Sequence, residues 1–100
     1  MTVSENRVSL VTGGARGIGR GCALKLASLG SSIILVDLLE AEMKNTKKEI
    51  ENLGVSCLTY IADVSDHNRA KEIASDVFKK WGRIDVLVNN AGKANPKGIL

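Results

Sequence analysis

Four short stretches hold the residues able to do chemistry, and each follows an apolar run. The first is Thr12-Gly13-Gly14-Ala15-Arg16-Gly17-Ile18-Gly19, entered from the β-branched and apolar run Val8 to Val11 and left through a helical pattern. A glycine loop between a strand and a helix suits a pyrophosphate. Gly13 lets the chain turn sharply off the strand. Gly17 has no Cβ to hold a phosphate away from the backbone, and Gly19 lets the new helix pack close on the strand. The helix then starts with N–H groups and a partial positive charge facing the anion. The spacing is G-x-x-x-G-x-G, and a glycine turn with no ligand is the alternative that the loop alone leaves open.

The other stretches extend the same chemistry. Asp37 stands 18 residues after Gly19, close to the offset of a carboxylate that accepts from the ribose hydroxyls of an adenosine; its alternative is a turn or capping aspartate. Asp63, before Val64, can accept from the exocyclic amine of adenine or cap the next helix. Asn89 and Asn90, before Ala91 and Gly92, are turn residues or amides that organise backbone and contact a ligand.

The elements that must position these residues alternate. Strands are expected over Val8 to Thr12, Ser32 to Asp37, Val55 to Ala62 and Ile84 to Val88. Helices are expected over Gly17 to Leu29, Glu40 to Leu53 and Asp66 to Trp81, with Ser65 or Asp66 as the cap of the third. Gly30, Gly54 and Gly82 end the three helices. The apolar faces read as Ile18, Cys22, Leu26 and Leu29 on the first helix. On the second they are Met43, Ile50 and Leu53, helped by Ala41 or Thr46. On the third they are Ala70, Ile73, Ala74, Val77, Phe78 and Trp81. A loop with the only proline, Pro96, follows over 93–98.

This βαβαβαβ order implies an α/β fold with a parallel sheet. Right-handed crossovers and a doubly wound arrangement give the strand order 3-2-1-4. The reversal opens a crevice at the carboxyl ends of strands one and four, where the glycine loop and Asn89 to Gly92 meet. Asp37 and Asp63 end the strands on the same edge, and that convergence points to a dinucleotide.

Composition narrows the class. The chain has 100 residues, 44% of them apolar and 25% charged, with net charge +3. No apolar run approaches the roughly 20 residues of a membrane span. A polar Met1 to Arg7 has no signal-peptide core, so a cytoplasmic location is expected. Lys47-Lys48 and Lys79-Lys80 read as solvated helix faces, with no sign of nucleic-acid binding. Cys22 and Cys57 read as buried free thiols, and His67 as the only histidine leaves no metal site.

The residues then resemble the short-chain dehydrogenase/reductase family. Thr12 to Gly19 matches its T-G-x-x-x-G-I-G motif, Asp63-Val64 its D-V pair, and Asn89-Asn90-Ala91-Gly92 its N-N-A-G motif. The resemblance implies a Rossmann-type fold. It implies that Gly13, Arg16, Gly17 and Ile18 line pyrophosphate and ribose, and that Asp63 and Val64 hold adenine. Asn89, Ala91 and Gly92 then lie along the adenosine ribose and the path to the nicotinamide.

The family's catalytic Ser, Tyr-x-x-x-Lys and helix Asn have no counterpart before Leu100, so no catalytic residue is assigned, Tyr60 included. The expectation is the N-terminal, cofactor-binding part of one domain, its sheet incomplete on the strand-four side and its catalytic half beyond residue 100. The reading is hydride transfer between NAD and a small alcohol or ketone, in an enzyme that is a homo-oligomer when complete. An NADP-dependent reductase of the 3-oxoacyl-thioester type and a non-catalytic nucleotide-binding module are the alternatives. Arg16 favours a 2′-phosphate and hence NADP. Asp37 opposes it more strongly, which favours NAD.

Overall fold

The computed structural model describes residues 7–90. Ala91, Gly92 and the loop expected over 93–98 lie outside the described residues. The strands are β1 (Val8–Thr12), β2 (Ser32–Asp37), β3 (Cys57–Ile61) and β4 (Val86–Asn89). The helices are α1 (Gly17–Ser28), α2 (Glu40–Asn52) and α3 (His67–Trp81). The sheet is wholly parallel in the order β3-β2-β1-β4, as the alternation of elements implies.

Period-two alternation divides the core between the two faces of the sheet. Val11, Ile33 and Leu35 pack with Ala23, Ala27, Met43 and Ile50 beneath α1 and α2. Leu10, Ile34 and Val36 pack with Ile73 and Val77 beneath α3. Burying each such Leu, Ile or Val side chain contributes about 1.5–3 kcal/mol. β4 is one edge of the sheet and β3 the other among the described residues, and Leu87 of β4 is 65% exposed.

Two strands are shorter than their apolar runs. Ser56 and Ala62 still bond to β2, through Ile33 N–H to Ser56 O at 2.9 Å and Ala62 N–H to Asp37 O at 3.1 Å, but each lies beyond the paired register of β3. β4 begins late for a different reason. The Asp85 carboxylate takes the Val8 N–H at 2.8 Å, in place of a backbone carbonyl.

The helix faces need larger corrections. The buried stripe of α1 is Gly19, Ala23 and Ala27, whereas Ile18 and Leu29 of the expected stripe are exposed. A helix set directly over β1 and β2 has room there only for small side chains, and the large ones move to its flanks. Ile18, Cys22 and Leu26 instead border a groove whose other wall is Val86 and Val88. On α2 the buried residues are Met43, Thr46 and Ile50, with Leu53 exposed past the helix end. On α3 Ile73 and Val77 are buried, while Ala70 and Phe78 are exposed. Cys57 is buried and Cys22 half-buried, both free. No helix among the described residues is long and apolar enough to cross a membrane.

Candidate functional site

Register brings the strand ends level. Thr12 pairs with Val36 and with Asn89, and Asp37 pairs with Ile61. The residues that follow β1, β2 and β4 therefore open on one edge of the sheet.

The loop after β1 is shaped by its glycines. Gly13 has φ +65°, a left-handed value that turns the chain while its N–H still bonds to Val36 O at 2.8 Å. Gly17 has φ +62°, and a Cβ built there meets nothing within 4 Å. Its need for glycine is thus conformational, and the space beside it is open to a ligand. Gly19 is different, because a Cβ would stand 2.0 Å from Gly13 O and 2.7 Å from Asn90 Nδ2. It closes α1 onto the loop, rather than onto the strand as its spacing suggests. Gly14, which the sequence reading passes over, lies against Leu35, whose Cδ2 would be 2.6 Å from an added Cβ.

The β4 end is joined to this loop by hydrogen bonds. The Asn90 N–H donates to Thr12 Oγ1 at 2.9 Å, and Asn90 Nδ2 donates to Gly13 O at 3.3 Å. Thr12 Oγ1 lies within donating distance of Val88 O (3.3 Å) and Asn89 Oδ1 (3.2 Å). Asn90 and Thr12 thus organise the backbone, which is one of the two roles open to the paired amides in sequence.

Asp37 is half-buried at the end of β2. Its Oδ2 accepts from Ala15 N–H and its Oδ1 from Leu39 N–H, both at 3.0 Å. A carboxylate has about four lone-pair sites, so each oxygen keeps capacity for a further donor. Arg16 is exposed at the N-cap of α1 and gives no side-chain cap, and the first turn carries no acid. No ion pair joins Arg16 to Asp37, whereas Arg20 is held two-pronged by Glu49 of α2. The helix start therefore presents positive charge that no acidic side chain of its own turn offsets.

Asp63 and Val64 border a cavity of about 370 Å³ on the α3 side of the sheet. Its lining also includes Leu10, Val36, Ala62 and Leu87, together with Thr12 and Asn89. Asp63 Oδ1 accepts from the N–H (2.9 Å) and hydroxyl (2.7 Å) of Ser65. The cap of α3 is Asp66, which accepts from Arg69 N–H at 3.1 Å. Tyr60 donates its hydroxyl to Asp76, and burial together with that bond pushes its pKa up to about 12. Among the described residues no group of three or more His, Cys, Asp or Glu is placed to hold a metal.

Thr46 is the site residue whose role the sequence reading missed. It is 1% exposed on α2, and its hydroxyl donates to Ala15 O at 2.9 Å. The available signal was a hydroxyl on a buried stripe between Met43 and Ile50, because a buried polar group needs a partner.

Comparison with known proteins accords with this geometry. A family model described as short chain dehydrogenase matches residues 7–100. The chain is 41% identical over 88 residues to a 3-oxoacyl-(acyl-carrier-protein) reductase of Thermotoga maritima, a match covering 88% of this chain and 36% of that protein. It is 37% identical over 87 residues to a diacetyl reductase, (S)-acetoin forming, of Staphylococcus epidermidis, covering 87% of this chain and 34% of that relative. The solved structure of NAD+-bound xylitol dehydrogenase matches with TM-score 0.87 at 32% identity, over 92% of this chain and 35% of that one. A metagenomic short-chain oxidoreductase in complex with NADP matches with TM-score 0.84 at 36% identity, over 88% of this chain and 40% of that one. The chain spans about a third of the length of the curated relatives it matches.

Proposed function

The chain belongs to the short-chain dehydrogenase family, and from that premise we propose that it is the cofactor-binding part of an oxidoreductase. It holds a nicotinamide dinucleotide, NAD in preference to NADP, and the enzyme acts on a small alcohol or carbonyl compound. The observation that carries this reading is the Gly13 to Gly19 loop. It combines open space at Gly17, an acid-free helix start and a carboxylate at the next strand end. The nicotinamide supplies or accepts the hydride when bound. The chain's own residues bind and orient. Backbone N–H groups at the start of α1, with Arg16, Gly17 and Ile18, receive the pyrophosphate. Asp37 accepts from ribose hydroxyls, and Asp63 and Val64 hold adenine. Asn89, Ala91 and Gly92 lie along the ribose and the path to the nicotinamide.

The preference for NAD rests on Asp37. Its two backbone donors hold it in place, so it cannot swing away from a 2′-phosphate. At about 4 Å and an effective dielectric of 20, each like unit charge costs about 4 kcal/mol before screening. A third of that is about tenfold in affinity. One observation favours the NADP reading, that of a 3-oxoacyl-type reductase: among the described residues no acidic side chain pairs with Arg16.

Competitive binding of the two dinucleotides to the intact protein tests the preference. Wild type is expected to bind NAD more tightly, and Asp37→Ser to move the NADP-to-NAD affinity ratio toward NADP by about tenfold. Equal affinities in wild type, or an unchanged ratio in the variant, refute it.

A further inference from the structure

We infer that Thr46, on α2 and outside the glycine motif, is a positioning residue that sets the direction of the loop's N–H donors. The inference rests on the dinucleotide reading above. Ala15 is gripped from both sides. Its N–H is taken by Asp37 Oδ2 at 3.0 Å, and its carbonyl receives the Thr46 hydroxyl at 2.9 Å. Both Ala15 and Thr46 are almost wholly buried, at 2% and 1% exposed. Water therefore does not replace the hydroxyl as donor, and the carbonyl has good reason to stay turned toward α2.

The peptide that follows transmits this constraint. The described residues contain no cis peptide, and in a planar trans peptide the C=O and N–H point in opposite directions. With the Ala15 carbonyl turned in toward α2, the Arg16 N–H is turned outward, to the open side of the loop where Arg16 and Gly17 are exposed. This peptide turns about ψ of Ala15 and φ of Arg16, and Arg16 stands exposed at the N-cap of α1 with no side-chain cap bond. The Thr46 hydroxyl fixes the carbonyl end of this peptide, and with it the direction of the Arg16 N–H, before a ligand arrives. Preorganised donors bind an anion more tightly because less ordering remains to be done on binding.

The other polar contacts of the loop do not duplicate this one. Asp37 holds the preceding peptide, and Asn90 holds Gly13 O. Arg20 and Glu49 tie α1 to α2 further along both helices.

The test compares wild type with Thr46→Val, which keeps the shape and loses the hydroxyl, and Thr46→Ser, which keeps the hydroxyl. Binding of NAD to the intact protein, the split between KM for NAD and kcat, and exchange of the hydrogen-bonded Ala15 amide without ligand are measured. Thr46→Val is expected to weaken NAD binding about five- to tenfold, the range of one hydrogen bond. It should raise KM with kcat unchanged and speed exchange at the Ala15 amide, while Thr46→Ser stays within about twofold of wild type. If Thr46→Val fails to fold, Thr46→Ala repeats the loss of the hydroxyl without crowding.

Equal affinity in all variants, or equal weakening by Ser and Val, overturns the inference. If wild type binds neither NAD nor NADP, the functional reading itself falls. Exchange that is fast in Val and wild-type-like in Ser then still shows the clamp, and unchanged exchange removes it.

Discussion

Gly19 and Gly21 lie two residues apart in α1, and alanine is expected to act on them with opposite sign. Alanine in place of glycine inside a helix gains about 0.5–1 kcal/mol from backbone entropy. Gly21 is exposed, and an added Cβ meets nothing within 4 Å. Gly21→Ala should therefore keep the whole gain. At Gly19 the same gain is opposed by a Cβ 2.0 Å from a backbone oxygen and 2.7 Å from Asn90 Nδ2. Neither the Cβ nor the Gly13 carbonyl can rotate aside, so the start of α1 must shift bodily. Overpacking of this kind costs about 1–3 kcal/mol. The displaced Asn90 amide then loses its bond to Gly13 O, worth about 1 kcal/mol more. Net of the entropy gain, Gly19→Ala should be about 1–3 kcal/mol less stable than wild type. Urea unfolding of the intact protein and both variants reads these differences from the midpoints. The same displacement moves the helix start from the candidate phosphate position, so NAD affinity should fall at least about tenfold in Gly19→Ala and stay unchanged in Gly21→Ala. A Gly19→Ala protein as stable as wild type would refute the close-approach argument.

Two titrations follow from burial. Tyr60 is the only tyrosine, and its tyrosinate absorbance should rise with a midpoint near the about 12 set by burial and Asp76, not the ordinary 10.0. A pKa raised on folding contributes stability that is complete below the unfolded value and is lost as pH rises through the folded one. Stability should accordingly fall between these two values, and Asp76→Asn should move the midpoint back toward 10.0; a midpoint already there in wild type rejects the pairing. The Cys57 thiol is pushed up to about 12 by burial, so at about pH 8 a thiol reagent should leave it unmodified until the protein unfolds. Rapid labelling of Cys57 in the folded protein, located by peptide mapping, contradicts that burial.

What could be read from sequence was whatever depends on the backbone. The glycine loop, the helix-ending glycines and the alternation of strand and helix reflect local conformational demands. They set the element order and, through crossover handedness, the strand order. β1 and β2 match their apolar runs because both are central strands buried on two faces. The faces of the helices were harder, because burial depends on what lies opposite. The largest apolar residues of α1 trace a stripe through Ile18 and Leu29. The sheet instead receives Gly19, Ala23 and Ala27, since a helix near the strands admits only small side chains. Leu53 and Phe78 fail for a related reason, as their helices turn Ile50 and Val77 inward. A helical period gives the angle between residues, not the direction of the neighbour.

The candidate site divides along the same line. Glycine positions and the acidic strand end were legible because each meets a steric or electrostatic requirement alone. The contacts that make these residues one structure join segments far apart in sequence. Thr12 and Asn90 connect the ends of β1 and β4, while Asp37 and Thr46 grip one residue of the loop from β2 and α2. None of these polar residues has a type or spacing that identifies its partner. A threonine on a helix stripe reads as weakly apolar until the carbonyl opposite it is known. Asp37 is an acceptor for the loop, and in the proposed dinucleotide reading it has a second duty as a charge facing the ligand. A substitution there should alter dinucleotide discrimination and loop order together, whereas Thr46 carries no charge and should act on loop order alone. Comparing the two separates them. A change in the NAD-to-NADP ratio belongs to the charge, and an equal change in both affinities belongs to the loop.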